Sequence, residues 1–302
     1  LLYQQRRIGV HQYRSSRRNL TPYGTGYSPL GQLSELERRF TEVNKDFLLG
    51  VDKKFGTFGV NAFVGGNQMD QSRETIGGGG SQFSIPFLET LSNLANQGIS
   101  YGIGEKAINS LYGSIEFSYN DYLYLTATAR QDWFSTLSNI NVDDEDNSIL
   151  YPSVGASFVF SDALDLPSWF TFGKIRGSWA QVGGDTDPYS LALTYGLVGQ
   201  GHLGNPLGRI AQGQIPNANL IPLSNTEIEV GFDVRLFNNR VGLDFAYYDR
   251  QTEDDILGAT VSQTSGYGSQ VVNVVQLSNK GVEILISGTK VRKAEIEWDL
   301  CL

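Results

Sequence analysis

Between Glu227 and Leu236 every second residue is apolar: Ile228, Val230, Phe232, Val234 and Leu236 alternate with Glu227, Glu229, Gly231, Asp233 and Arg235. A period of two sends neighbouring side chains to opposite faces of a strand, where a helix would need a period of 3.6. Asn238-Asn239 follows, two residues that tolerate positive φ, and then Val241, Leu243, Phe245 and Tyr247 alternate with Gly242, Asp244, Ala246 and Tyr248. The pattern predicts a long antiparallel hairpin with one apolar face and one charged face.

The same grammar recurs along the chain. Phe47 to Lys53 leads through Lys54-Phe55-Gly56 into a strand ending at Gly65, with Phe58, Val60, Ala62 and Val64 on one face. Ile115, Phe117 and Tyr119 turn at Asn120-Asp121 into Leu123, Leu125, Ala127 and Ala129. Val154 to Phe160 connects to Ile175 to Gln181, and Val282, Ile284 and Ile286 turn at Val291-Arg292-Lys293 into Ile296, Trp298 and Leu300. Runs of about ten residues, tilted by ~45°, cover ~23 Å, the height of the apolar band of an outer-membrane barrel. Charges such as Glu229, Asp233, Arg235, Asp244 and Glu283 on the other face are too costly for a dry core and natural on a wet wall. The expected fold is therefore all-β, an antiparallel transmembrane β-barrel.

The spacing between hairpins points the same way. Turns at Lys54-Phe55, Asn120-Asp121, Asn238-Asn239 and Arg292-Lys293 are short, whereas the links from Gly66 to Ser110 and from Gly183 to Thr226 are long. Short periplasmic turns and long extracellular loops are the arrangement of such barrels. Tyr119, Tyr122, Trp133, Phe134, Tyr151, Trp169, Phe170, Tyr248 and Trp298, near predicted strand ends, suit interfacial aromatic girdles. One segment departs from the scheme: Leu33, Leu36, Phe40 and Val43 have helical spacing, and Ser34 with Glu37 resembles a capping box, which predicts a short helix or a loop feeding a strand.

Composition narrows the chemistry. The 302 residues carry a formal net charge of −9, which argues against nucleic acid as a partner. One Cys (Cys301) and two His (His11, His202) can build neither an internal disulfide nor a Cys/His zinc cage. No apolar run is long enough for a transmembrane helix, a fact that leaves strands open as the spanning element. The opening residues lack a signal-peptide layout and the last ones read as part of a strand, so residues 1–302 are expected to be a partial barrel domain.

Ser278-Asn279-Lys280-Gly281-Val282-Glu283-Ile284, Asn219-Leu220-Ile221-Pro222 before the Ile228 strand, Phe237-Asn238-Asn239-Arg240, Tyr151-Pro152-Ser153-Val154, Lys174-Ile175-Arg176-Gly177-Ser178-Trp179, and Gly65-Gly66-Asn67 ending a strand together resemble the barrel half of the SusC/RagA-like family of TonB-dependent outer-membrane receptors. The resemblance spans nearly the whole chain. It implies roughly ten strands of a 22-stranded barrel, with signal sequence, TonB box and plug domain belonging upstream. It also implies active import of glycans or peptides, driven through TonB-ExbB-ExbD, with a SusD-like surface lipoprotein over the mouth. Outer-membrane lipid and lipopolysaccharide would surround the wall, and no enzyme activity or cofactor is implied.

Three glycine motifs invite other readings. Gly199-Gln200-Gly201-His202-Leu203-Gly204 matches a dinucleotide pattern, but Asn205-Pro206 prevents the helix that should follow, which leaves a flexible loop. Gly98-Ile99-Ser100-Tyr101-Gly102 matches a nucleophile elbow with only His202 available as a later base. Gly77 to Gly80 lacks the Lys-Ser/Thr of a phosphate loop and reads as loop flexibility. Asp143-Asp144-Glu145-Asp146 concentrates carboxylates, so Asp143, Asp144 and Asp146 are candidate Ca²⁺ ligands, weighed against a solvated charge run. For a sugar or peptide the candidate contacts are Trp133, Asp185, Asp187, Tyr189, His202, Asn205 and Tyr267, loop aromatics beside hydrogen-bonding groups. A passive porin or adhesin barrel shares every hairpin, and a soluble β-rich glycan-binding module predicts instead a second sheet over the apolar faces.

Overall fold

A strand's backbone N–H and C=O groups need partners, and here each strand finds them in the next. The structure is a computed structural model that describes residues 1–138, 147–210, 213–293 and 296–301. In chain order its strands are β1 (Leu2–Thr21), β2 (Gln32–Phe55), β3 (Phe58–Phe83), β4 (Leu94–Tyr119), β5 (Leu123–Phe134), β6 (Ser148–Phe158), β7 (Phe170–Gly184), β8 (Tyr195–His202), β9 (Asn205–Ile210), β10 (Gln214–Ile215), β11 (Leu223–Leu236), β12 (Val241–Thr260), β13 (Ser269–Lys293) and β14 (Ile296–Cys301), with a one-turn helix α1 (Phe160–Ala163) before β7. Twelve of them form one sheet in the order β1-β2-β3-β4-β5-β6-β7-β11-β12-β13, with β14 and the short β10 both pairing with β13, and β8–β9 is a separate hairpin. Among the described residues the sheet does not close on itself.

The chain divides into two compact units. The first comprises Leu1–Arg6, Phe47–Gly66 and Asn109–Leu302. Its strands β5 to β7 and β11 to β13 pair antiparallel in rows that cross the sheet. Leu125, Ala156, Gly177, Val230, Tyr247 and Val282 form one row, and Leu123, Phe158, Ile175, Phe232, Phe245 and Ile284 the next toward the short turns. This face is not covered by a second layer: Val230 is 49% exposed and Ile284 57%. The soluble sandwich alternative required that layer. Toward the loops the face turns polar, first at the Asp249–Lys280 ion pair in the row of Trp179 and Ile228, then across the whole row Thr226, Gln181, Gln251 and Ser278.

Aromatic rings line the short-turn end of this unit. Phe58 and Tyr119 lie 4.9 Å apart, Tyr119 and Tyr122 5.5 Å, Tyr122 and Phe158 5.9 Å, Phe160 and Phe170 5.6 Å, and Trp169 and Phe237 6.1 Å. The turns are as tight as expected, with positive φ at Asn120 and Asp121 and at Phe237, Asn238 and Asn239. Val291 to Lys293, expected as a turn, belong instead to β13, which runs through Lys293, and Lys293 pairs with Ile296.

The second unit comprises Arg7–Asp46 and Asn67–Ile108, and here two expectations are overturned. The helix expected around Leu33 to Val43 is part of strand β2. Leu33 and Phe40 have opposite strand parity and are buried for separate reasons: Leu33 packs with Phe83 and Leu94, while Phe40 stacks 4.9 Å from Tyr13. Two unrelated contacts thus imitate helical spacing. Nor is the link from Gly66 to Ser110 a loop. Strand β3 continues to Phe83 and β4 starts at Leu94.

Gly77 to Gly80 and Gly98 to Gly102 accordingly sit inside strands, without an elbow or a flexible loop. The four-glycine run is there for close approach: a Cβ on Gly80 would lie 1.8 Å from the Asn96 carbonyl oxygen, and one on Gly79 2.9 Å from Ser34 Cβ. Ion pairs join the strands laterally. Arg14 and Arg39 share Glu37, Arg39 reaches Glu74 at 3.6 Å, and Tyr101 Oη donates to Glu74 at 3.2 Å. At the end of the unit Asn93 Nδ2 donates to the carbonyls of Ile85 and Leu88, and its Oδ1 accepts from the Ile85 N–H, which fixes the connection from β3 to β4.

Candidate functional site

Parity assigns side chains to the charged face of the first unit. Tyr124, Ser157, Arg176, Gly231, Ala246 and Glu283 form one row. Arg176 Nε donates to Glu229 at 3.2 Å, and both its terminal nitrogens donate to Asp244 at 3.0 Å, two strands away on β12. Gly231 between them makes this reach feasible: a Cβ there would lie 3.1 Å from the Arg176 guanidinium carbon and 2.6 Å from the Phe245 carbonyl oxygen. Gly281, in the Ser278 to Ile284 motif, similarly leaves room for the Tyr248 ring, whose Oη would lie 2.4 Å from a Cβ.

Nearer the loops, Arg130 donates to Asp132 and to Ser110 Oγ, each at 2.7 Å, its guanidinium lies 5.7 Å from the Tyr112 ring, and Tyr151 donates to the second Asp132 oxygen. Asp132 is 5% exposed, and its two oxygens are met by these two donors, Arg130 and Tyr151. A polar depression of about 390 Å³ lies between the two clusters, lined by Glu116, Tyr124, Thr126, Ser157, Arg176 and Ser178. This face carries charges of both signs and hydroxyls, of which Tyr124 Oη donates to the Asp121 carbonyl at 2.9 Å and Thr126 Oγ1 to Glu116 at 3.2 Å.

This parity also sorts the aromatics. Phe134, Tyr151 and Tyr248 belong to the charged face and not to a girdle, whereas Trp133 shares the parity of Leu125 and Ala127. Of the candidate ligand contacts, Asp185 follows β7 and accepts from Thr136 Oγ1 at 2.7 Å. The carbonyl of Asp187 accepts from Ser190 Oγ at 2.8 Å, and exposed Tyr189 has φ of 66°. His202 and Asn205 face each other across the β8–β9 turn at Leu203 and Gly204, so the segment read as a flexible loop is a hairpin. Tyr267 lies half-buried in the β12–β13 connection. Asp143, Asp144 and Asp146 fall outside the described residues. Sequence reasoning missed Arg130, Asp132, Tyr112 and Arg176: apart from the Arg130–Asp132 pair, two residues apart on one strand, their partners are distant in sequence and visible only through register.

Residues 3–300 match the family described as TonB dependent receptor-like, beta-barrel. The chain belongs to that family. Among its relatives in Formosa agariphila, TonB-dependent receptor P26 is 31% identical over 199 residues, covering 63% of this chain and 19% of the relative. TonB-dependent receptor P3 is 24% identical over 271 residues, covering 86% of this chain and 26% of the relative. The chain therefore spans about a quarter or less of these relatives. In the RagAB peptide transporter a chain superposes with a TM-score of 0.82 at 19% identity, covering 97% of this chain and 33% of that one. The copper transporter OprC gives 0.55 at 13% identity, covering 95% and 41%. The family is one of outer-membrane β-barrel receptors and transporters, and residues 1–302 are part of such a barrel. The SusC/RagA-like resemblance agrees with the better superposition on RagAB.

Proposed function

We propose that this chain is a section of the wall of an outer-membrane importer for a large nutrient, a glycan or a peptide. The wall's role would be to separate hydrocarbon from an aqueous interior and to present polar groups along the path. The observation that carries the reading is the two-faced sheet of the first unit, supported by its likeness to a chain of the RagAB peptide transporter. Energy would come from TonB-ExbB-ExbD through parts of the protein upstream, and a SusD-like lipoprotein would cover the mouth. Within the loops, Asp185, Asp187, Tyr189, His202, Asn205 and Tyr267 are the proposed ligand contacts, with Trp133 at the rim, and Asp143, Asp144 and Asp146 stand as an optional Ca²⁺ group. No catalytic step is assigned to any residue.

Uptake tests the reading. In cells expressing the full-length receptor, accumulation of labelled peptides or oligosaccharides is expected to fall to background when TonB is deleted. Undiminished uptake would replace the importer with a passive porin.

A further inference from the structure

On the apolar face of the first unit, small residues leave a notch in the apolar band. Ala156 and Gly177 form its floor, and Phe117, Leu125, Val154 and Trp179 its walls, around about 420 Å³. Leu125, Val154, Ala156, Gly177 and Trp179 belong to the apolar parity of their strands, Thr126, Gly155 and Ser178 of the opposite parity also border the hollow, and Ala127, Val154 and Trp179 lie one row short of polar Gln181 and Thr226. The notch is thus at the loop-side margin of the band, where the outer leaflet's chains begin.

Gly177 separates this notch from a packing accident. A Cβ on Gly231 would lie 2.6 Å from the Phe245 carbonyl oxygen, so the backbone itself demands glycine there. On Gly177 it would meet Val230 Cγ1 at 3.8 Å and the Glu229 carbonyl oxygen at 3.9 Å, ordinary contacts. The sheet has room for a larger residue at 177 and leaves the space empty. An unfilled apolar hollow forfeits dispersion contacts unless something else occupies it.

We propose that the notch seats one acyl chain of an outer-leaflet lipid. The face is continuous with the hydrocarbon-facing band of an outer-membrane barrel, so acyl chains are already its solvent. Its lining is mostly apolar, and its size suits a chain segment and not the surface that a second copy needs for stable association, about 800 Å² from each partner. The seat rests on the membrane placement of the wall and is independent of whether the receptor imports anything.

The test uses the full-length receptor in phosphatidylcholine vesicles containing a trace of phosphatidylcholine spin-labelled near the end of one chain. Electron paramagnetic resonance then counts the motionally restricted chains per protomer. Gly177→Leu fills the notch, and the expected result is a loss of about one restricted chain, with heat-modifiable gel mobility as the check on folding. Ala156→Leu is a second route to the same loss and decides the matter if the first variant does not fold. Val282→Leu, on the same face outside the notch, should leave the number unchanged. An unaltered count in a folded notch variant overturns the proposal. So does a loss that coincides with conversion of a dimer to monomers, which would assign the notch to a second copy.

Discussion

The two units use extended strands of the same chain in opposite ways. In the first, one face exposes Val230, Phe232, Ile284 and their neighbours as an apolar band that gives way at its loop-side row to the Asp249–Lys280 ion pair, while the other carries Arg176, Glu229 and Asp244 in mutual contact. In the second, Arg14, Glu37, Arg39 and Glu74 link neighbouring strands, and close glycine packing replaces side-chain interdigitation. Lipid on one side forces strict alternation, because a charge turned toward hydrocarbon costs several kcal/mol. A strand with water on both sides carries no such demand, and charge, glycine and isolated apolar residues can mix.

The sharpest way to break this comparison is a pair of arginines at sites of similar exposure. Val230→Arg in the first unit should cost roughly 2 to 4 kcal/mol in folding of the full-length receptor into lipid vesicles, measured by denaturant titration. Ile76→Arg in the second unit, where Ile76 is 47% exposed, should change stability by less than about 0.5 kcal/mol. Equal effects would mean that both units meet the same solvent.

Gly231→Val probes the charged face. Its Cβ has no room beside the Phe245 carbonyl and the Arg176 guanidinium, so the bridge to Asp244 should break and the variant should lose about 1–3 kcal/mol in the same titration. Asp233→Arg, in the same strand on the wet side, should be milder than Val230→Arg. The smallest effect belongs to the second unit: Arg39→Gln should lower the midpoint only slightly at low salt, and the difference should disappear near about 1 M salt, where screening acts within ~3 Å. A difference that persists in salt would show that the ladder is buried by something else.

How far the sequence could be read follows from the same contrast. Glu227 to Tyr248 was legible down to its register, since Val230 opposite Tyr247 and the turn at Asn238-Asn239 follow from alternation and turn chemistry alone. Beyond the band the pattern loosened. β3 continues through Gln68, Asp70, Ser72 and Glu74 into four glycines, a composition that resembles a loop because nothing apolar needs to be hidden. Leu33 and Phe40 suggested a helix because each answers to a different partner. The wall's charge clusters were illegible for another reason: Arg176 and Asp244 are brought together by β11 between them, and Arg130, Ser110 and Tyr151 come from three strands. Of the loop candidates, proximity in sequence sufficed for His202 and Asn205, whereas the Thr136–Asp185 contact joins two different loops.

The central claim is that the two faces of the first unit see different media, and one scan tests it directly. Nitroxide labels placed singly from Glu227 to Leu236 in the vesicle-reconstituted full-length receptor can be read for collision with oxygen, which concentrates in hydrocarbon, and with a water-soluble nickel chelate. The account predicts oxygen maxima at 228, 230, 232 and 234 and nickel maxima at 229, 231, 233 and 235, out of phase with a period of two. Two profiles that rise and fall together, or a scan in which neither reagent reaches the apolar positions, would contradict it.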